Sequence, residues 1–243
     1  MSKVFLFVAA LALSLSAAAG AGEVVVGTNA EFMPFEYTDD DNNIIGYDID
    51  IIKAVGKAAG LDINIQNQAF DTLVEGLESG KLDAVISGMT ITEARKLKVD
   101  FSDPYYNAAQ VIVVLEKTKG FDKIEDIKGK LVGVQLGTTG AGMSEEAMGE
   151  NNPDLKQFRK YNEVFSELRL GRIDAIVVDL PVAQAYVRKM EGIRISSPAM
   201  SEEEYGIAVK KGDTELLEKI NGGLKKIRES GEYDAITEKW FQN

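Results

Sequence analysis

The 243-residue chain contains no cysteine and no histidine. Without cysteine there is no disulfide, thiol nucleophile or thiolate metal ligand, so the fold depends on its core alone. The same absence excludes a lipid anchor on an N-terminal cysteine. Without histidine no Ser-His-Asp triad, Cys-His pair or histidine-bearing zinc site can be built. Any catalysis would fall to carboxylates, lysines, tyrosines or hydroxyls. Basic residues are also in deficit, 27 against 39 acidic ones, giving a formal net charge of −12. That charge disfavours nucleic acid and anionic lipid as partners and serves solubility. After residue 22 no apolar run is long enough to cross a bilayer.

What is present begins with an export signal over residues 1–22. Lys3 is its charged start, Val4 to Leu15 its apolar stretch, and Ser16 to Gly22 a run of small residues. A-x-A cleavage sites end at Ala19 and at Ala21. The expected mature chain starts near Gly22 or Glu23, is not a lipoprotein, and works in the periplasm.

Roughly 220 residues remain, enough for one large domain or two small ones. The pattern favours two. Gly80-Lys81-Leu82-Asp83-Ala84-Val85-Ile86 resembles Gly171-Arg172-Ile173-Asp174-Ala175-Ile176-Val177, each a Gly-basic-apolar-Asp-Ala turn feeding an apolar strand. Upstream, Val24-Val25-Val26-Gly27-Thr28-Asn29 parallels Leu131-Val132-Gly133-Val134-Gln135-Leu136. Strands alternate with helical patterns at 51–59, 71–77, 164–170, 215–228 and 235–241, which indicates α/β lobes with mostly parallel sheets. Ligands of such sheets sit beyond the carboxyl ends of the strands, where Asn29, Ser87, Gln135 and Asp179 fall. The β-rich run 108–115 reads as one strand crossing between lobes, and 204–209 as the return. The expected division is lobe 1 over 23–108 and 203–243, and lobe 2 over 109–202, with two crossings forming a hinge that closes on ligand.

The most telling stretch is Ser87-Gly88-Met89-Thr90-Ile91-Thr92-Glu93-Ala94-Arg95, after the apolar Ala84-Val85-Ile86. Ser87 and Thr90 offer hydroxyls, Gly88 admits close backbone approach, and Arg95 offers a planar fork for a carboxylate. Met89 belongs to this cradle, its side chain read as packing. The loop 137–142 after a strand lacks the Gly-Lys-Ser/Thr ending of a nucleotide loop and reads as a helix N-terminus able to receive an anion. Asp39-Asp40-Asp41-Asn42-Asn43 lacks the spacing of a calcium loop and reads as a solvated hairpin turn. No metal and no cofactor is expected.

In these motifs the chain resembles the polar amino-acid binding proteins of solute-binding protein family 3, the periplasmic receptors of ABC importers. The resemblance covers Val24 to Phe241. It rests on Gly27 to Tyr37, Gly46-Tyr47-Asp48-Ile49-Asp50, Leu82-Asp83-Ala84, the Ser87 to Arg95 cradle and Phe101-Ser102-Asp103-Pro104-Tyr105. It continues through Val132-Gly133-Val134-Gln135, Gly137-Thr138-Thr139, Ser230-Gly231-Glu232-Tyr233 and Lys239-Trp240-Phe241. The resemblance implies a two-lobed periplasmic binding protein fold of type II, a monomer, and a membrane permease as partner. It implies that Arg95 pairs with the α-carboxylate of the ligand, helped by the Thr90 hydroxyl and by N–H groups near Thr90 and Thr139, with Thr138 beside them. Asp179 and the Gly88 carbonyl hold the α-ammonium, assisted by the hydroxyls of Ser87 or Thr90. Phe32 and Phe70 flank the ligand side chain, and Asn29 and Gln135 line the distal pocket.

Bland roles compete at each position. Arg95 could pair with Glu93 or Asp100 on a helix surface, Asp179 could cap a helix before Pro181, and Phe32 and Phe70 could be core aromatics. The ligand choice stays open between glutamine, which suits the neutral Asn29, and arginine, which suits two aromatic faces. An alternative is an enzyme on the same scaffold, similar to cyclohexadienyl dehydratase, with Glu31, Glu36 or Glu145 as the general acid. A sensory receptor domain is a third reading, disfavoured by the lack of a membrane helix or signalling domain after Phe241.

Overall fold

The computed structural model describes residues 22–241, so the export signal lies outside them apart from Gly22. Two five-stranded sheets organise the chain. In the first, the order is Asp62–Asn67, Glu23–Thr28, Ala84–Val85, Ala208–Lys210, Val99–Phe101. In the second it is Leu155–Phe158, Val132–Gln135, Ala175–Asp179, Gln110–Leu115, Ile193–Ile195. In each sheet the first three strands are parallel, the fourth runs antiparallel to them, and the fifth, antiparallel to the fourth, points the same way as the first three. In each, too, the fourth position is taken by a strand that arrives from the crossing segment.

The two paired motifs seen in sequence occupy matching places. Gly27 and Gly133 sit in the second strand of their sheets, and the apolar residue of each Gly-basic-apolar-Asp-Ala turn packs against them. A Cβ on Gly27 would lie 2.5 Å from Leu82 Cδ1, and one on Gly133 2.5 Å from Ile173 Cδ1. Each turn aspartate then ties the strands together. Asp83 accepts from the Val25 N–H at 2.8 Å, and Asp174 from the Leu131 N–H at 2.9 Å.

Helices cover the sheets because their apolar residues recur at helical spacing. Tyr47–Ala59 buries Ile51, Ile52 and Val55, places Asp48 and Asp50 in its first turn, and stops at Gly60 in the left-handed conformation. It packs on Thr214–Glu229, which buries Ile220, Leu224 and Ile227, and both meet Glu232–Phe241. These helices extend beyond the apolar patterns read from sequence, because polar first turns such as Tyr47-Asp48 carry no periodic signal. None of the described helices is long and apolar enough to cross a membrane.

The crossing differs from the single strand expected over 108–115. The chain breaks at Ala109 into Tyr106–Ala108 and Gln110–Leu115, and the return likewise splits into Glu203–Tyr205 and Ala208–Lys210. Tyr106–Ala108 and Glu203–Tyr205 pair antiparallel as a two-stranded ribbon, Tyr205 opposite Tyr106. The fold therefore has two lobes, joined by this ribbon. The Asp39 to Asn43 segment forms the expected turn, Asp39 Oδ1 accepting from the N–H groups of Asp41 and Asn43. Those bonds hold the Asp39 carboxyl below its usual range.

Candidate functional site

Four strand ends converge on one cavity between the lobes. Asn29 follows Glu23–Thr28, Ser87 and Gly88 follow Ala84–Val85, and Gln135 and Asp179 end their strands. With Phe32, Phe70, Thr90, Arg95, Thr138 and Thr139 they line a pocket with about 270 Å³ of empty space. Met89 is the exception. Its side chain lies with Phe70, Leu73, Leu77 and Val85 in the core of the first lobe, because the strand-like alternation that turns Thr90 to the cavity turns Met89 away.

Arg95 stands on the short helix Glu93–Lys96, capped by Thr92 Oγ1 accepting from the Arg95 N–H at 3.2 Å. Its Nη1 donates to the Thr90 carbonyl at 2.7 Å and its Nη2 to the Gly137 carbonyl at 3.0 Å, so it reaches across the lobes. The guanidinium lies over the Phe70 ring, 5.4 Å from its centre. The surface alternatives are taken by others: Glu93 pairs with Lys96 and Asp100 with Lys211. Burial lowers the Arg95 pKa from its ordinary value, while Glu203 and Asp179 act in the opposite sense.

Asp179 precedes the helix Leu180–Lys189 but its side chain makes no capping bond. It accepts from the Tyr205 hydroxyl at 2.5 Å, and a hydrogen bond from the Gln110 side chain also favours its ionised form. Burial, and then the charge of Glu203, raise its carboxyl to about 7. A cation in the cavity would remove that penalty. Arg95, on a short helix of the first lobe, and Asp179, at a strand end of the second, thus bring a cation and an anion to one cavity.

Ser87 lines the cavity, and its hydroxyl is tied to the framework. Its Oγ accepts from the Asn29 N–H at 2.9 Å and donates to Glu36 Oε1 at 2.8 Å. Gly88 adopts φ 48°, and a Cβ there would lie 2.4 Å from the Phe32 ring, so glycine is needed for both conformation and space. Its N–H donates to Asp48 Oδ2, which also accepts from the Tyr105 hydroxyl, each at 2.7 Å. Glu36 and Asp48 are wholly buried, and burial raises Glu36 well above the usual range and Asp48 to about 6. Their remaining oxygens, Glu36 Oε2 and Asp48 Oδ1, have no donor. One proton shared between these two carboxyls satisfies both atoms. Two motif acids therefore hold up the floor of the cradle.

At the distal end, Gln135 Nε2 donates to Asn29 Oδ1 and to the Arg159 carbonyl, both at 2.9 Å, and Asn29 Nδ2 donates to the Gln68 carbonyl at 2.9 Å. Phe32 packs on Phe35 and on Tyr161 of the second lobe, ring centres 5.6 and 5.3 Å apart. Ion pairs Arg159–Asp71 and Lys160–Glu31, at 3.5 and 3.3 Å, also join the lobes. The lobes are in contact and the cavity is shut. Of the acids considered for catalysis, Glu31 pairs with Lys160, Glu36 is held under Ser87, and Glu145 accepts from Gln157. None of the three lines the cavity.

Thr138 Oγ1 accepts from the Ala141 N–H at 3.1 Å, capping the helix Thr139–Met148 and aiming its first free N–H groups at the cavity. Glu203 escaped the sequence reading. Its Oε2 accepts from Thr90 Oγ1 at 2.7 Å and from Thr139 Oγ1 at 2.9 Å. A signal for it existed. On a strand, residues two apart share a face, so Glu203 shares the inward face of Tyr205 while Glu202 and Glu204 are exposed.

Residues 24–243 match the family of bacterial extracellular solute-binding proteins, family 3. The chain belongs to that family. Among family 3 relatives, a probable histidine-binding protein of Neisseria gonorrhoeae is 40% identical over 220 residues, covering 89% of this chain and 82% of the relative. The arginine-binding extracellular protein ArtP of Bacillus subtilis is 36% identical over 222 residues, covering 90% and 86%. An ancestral arginine-binding protein, solved with arginine, superposes with a TM-score of 0.87 at 45% identity, covering 91% of this chain and 99% of that one. An ancestral arginine-binding protein solved bound to glutamine superposes with a TM-score of 0.86 at 46% identity, covering 91% of this chain and 99% of that one. The two-lobed family 3 fold read from the sequence is thus the fold of this chain.

Proposed function

We propose that the chain captures a polar L-α-amino acid in the periplasm and delivers it to the membrane permease of an ABC importer. The observation that carries this reading is the joint presence of Arg95 and Asp179 on one closed cavity of about 270 Å³. Arg95 takes the α-carboxylate bidentately, exchanging its two carbonyl partners for a charged acceptor. N–H groups at the start of the helix Thr139–Met148 assist. The Asp179 carboxylate and the Gly88 carbonyl take the α-ammonium. Phe32 and Phe70 flank the side chain, and Asn29 and Gln135 meet its end.

Arginine is the first choice of ligand. The distal pocket offers an acceptor at Asn29 Oδ1, with the Phe32 and Phe70 rings lining the same cavity. Asp179 and Glu203 outnumber Arg95 around the α-groups, so a ligand of net positive charge balances the site. The relatives named for arginine and histidine support the same class. Glutamine is the second choice, since its amide can replace the Asn29–Gln135 bond with one of the same kind.

The division of labour places lobe 1 over 23–108 and 203–243 and lobe 2 over 109–202, with residues 1–22 removed on export. The ribbon of Tyr106–Ala108 and Glu203–Tyr205 is the hinge. A thermal-shift screen of the chain from Glu23, unfolded and refolded to strip bound ligand, tests the reading against all proteinogenic amino acids. A ligand adds RT ln(1 + [L]/Kd) to stability, so arginine is expected to raise the midpoint by several degrees at a hundredfold excess over Kd. No shift with any amino acid would overturn it.

A further inference from the structure

Glu203 lies on the hinge ribbon, yet it touches the two lobes through single side-chain atoms. One of its oxygens, Oε2, receives both the Thr90 hydroxyl of the first lobe and the Thr139 hydroxyl of the second, at 2.7 and 2.9 Å. Its other oxygen, Oε1, accepts from Ser201 Oγ at 3.1 Å, which fixes the carboxylate plane. Thr90 and Thr139 line the cavity, whereas Glu203 stands behind them on an adjoining open groove. The two threonines form the wall between carboxylate and cavity.

A hydroxyl has one proton to give. In both threonines that proton goes to Glu203, so towards the cavity each can only accept. Thr139 Oγ1 already accepts from Gln110 Nε2 at 3.1 Å, which leaves it one lone pair, while Thr90 Oγ1 keeps both. An acceptor wall suits an ammonium and repels a carboxylate. This reverses part of the sequence expectation, in which the Thr90 hydroxyl could help either end of the ligand.

We infer that Glu203 is a positioning residue that sets the polarity of the Thr90 and Thr139 hydroxyls, so that they accept from the ligand α-ammonium and direct its α-carboxylate to Arg95. The inference rests on reading the cavity as an amino-acid site. It assigns the ammonium three kinds of acceptor: Asp179, the Gly88 carbonyl and the Thr90 hydroxyl. It also explains why a charged group is placed on the hinge. Both hydroxyls reach the same oxygen only when the lobes are together, so the closed form is the form in which the acceptor wall is set. The Glu203 charge acts further on Asp179, whose carboxyl it helps to raise.

A double-mutant cycle tests the inference, with L-arginine as the probe and calorimetry as the readout. Glu203→Gln keeps the shape but can turn an amide N–H towards the threonines, freeing their protons to face the cavity. It is expected to weaken L-arginine about tenfold. Thr90→Val is expected to weaken it similarly, and the double variant by less than the two losses combined, because Glu203 acts in part through Thr90 and in part through Thr139. The pH midpoint of affinity is expected to move down in Glu203→Gln, which a loss of packing alone would not cause. Unchanged affinity in Glu203→Gln, or full additivity with Thr90→Val, would overturn the inference. A wild-type chain that binds L-glutamine but not L-arginine would instead overturn the cationic choice of ligand, and the same cycle is then read with L-glutamine.

Discussion

Arg95 Nη2 donates to the Gly137 carbonyl at 3.0 Å, joining the first lobe to the loop that starts the helix Thr139–Met148 in the second. The guanidinium donates to carbonyls from both sides, Thr90 in the first lobe and Gly137 in the second. A ligand carboxylate is the stronger acceptor for the same fork, because both partners are then charged. The residue that would hold the ligand is also one that holds the lobes.

Replacing Arg95 by alanine is therefore expected to weaken amino-acid binding at least about 100-fold, or about 3 kcal/mol. Arg95→Lys recovers little of it, since an ammonium cannot offer the planar fork. The fold survives, because Arg95 is only half buried and packs on Phe70. Calorimetric titration together with a far-ultraviolet spectrum checks both halves of this expectation.

Affinity depends on pH through Asp179. Its carboxyl is raised from 3.8 to about 7 in the folded chain. Between these values the folded state binds more protons than the unfolded one, so ligand-free stability falls as pH rises through the window. The ligand ammonium favours the ionised form, so affinity changes in the opposite sense. It is expected to rise with pH towards 7, by up to about tenfold per unit, and to level off above. Titrations between pH 5 and 8.5 read this directly, and Asp179→Asn is expected to flatten the curve while weakening binding at every pH.

The proton between Glu36 and Asp48 makes a separate prediction about stability. Glu36 is raised well above its usual range by burial and by Asp48. Keeping that proton in the folded state costs more as pH rises, since the unfolded chain gives it up. Glu36→Gln supplies a permanent N–H to Asp48 Oδ1 and keeps an acceptor for Ser87. Its thermal midpoint is expected to exceed that of the wild type at pH 8 and to equal it near pH 4. Denaturation scans at the two pH values decide.

Asn29→Asp places a carboxylate beside the distal pocket. The arginine-to-glutamine affinity ratio is expected to rise at least about tenfold, with stability falling by about 1 kcal/mol as the donor to the Gln68 carbonyl is lost. Paired titrations with the two amino acids give the ratio.

Much of this arrangement was legible in the sequence, for physical reasons that can be named. The lobes were visible because Gly27 and Gly133 need the same absence of a side chain beneath Leu82 and Ile173, so the same residue types recur at the same spacing. The cavity was visible because strand ends carry polar residues where apolar burial stops. Glu203, Glu36 and Asp48 were opaque because their roles are set by partners far along the chain: Glu203 meets Thr90 113 positions away, Glu36 meets Ser87 51 away, and Asp48 meets Gly88 40 away. Met89 was drawn into the site by its neighbours, although strand alternation turns it into the core. The break at Ala109 was hidden because both halves of the crossing are rich in strand-forming residues.

The most direct test of the central claim is calorimetric titration of the refolded wild-type chain with three compounds. They are L-arginine, the same molecule without its α-carboxylate, and the same molecule without its α-ammonium. The account predicts that L-arginine binds and that each truncation loses at least about 100-fold, the first through Arg95 and the second through Asp179. Equal binding of all three would contradict it, for the cavity would then be gripping the side chain alone.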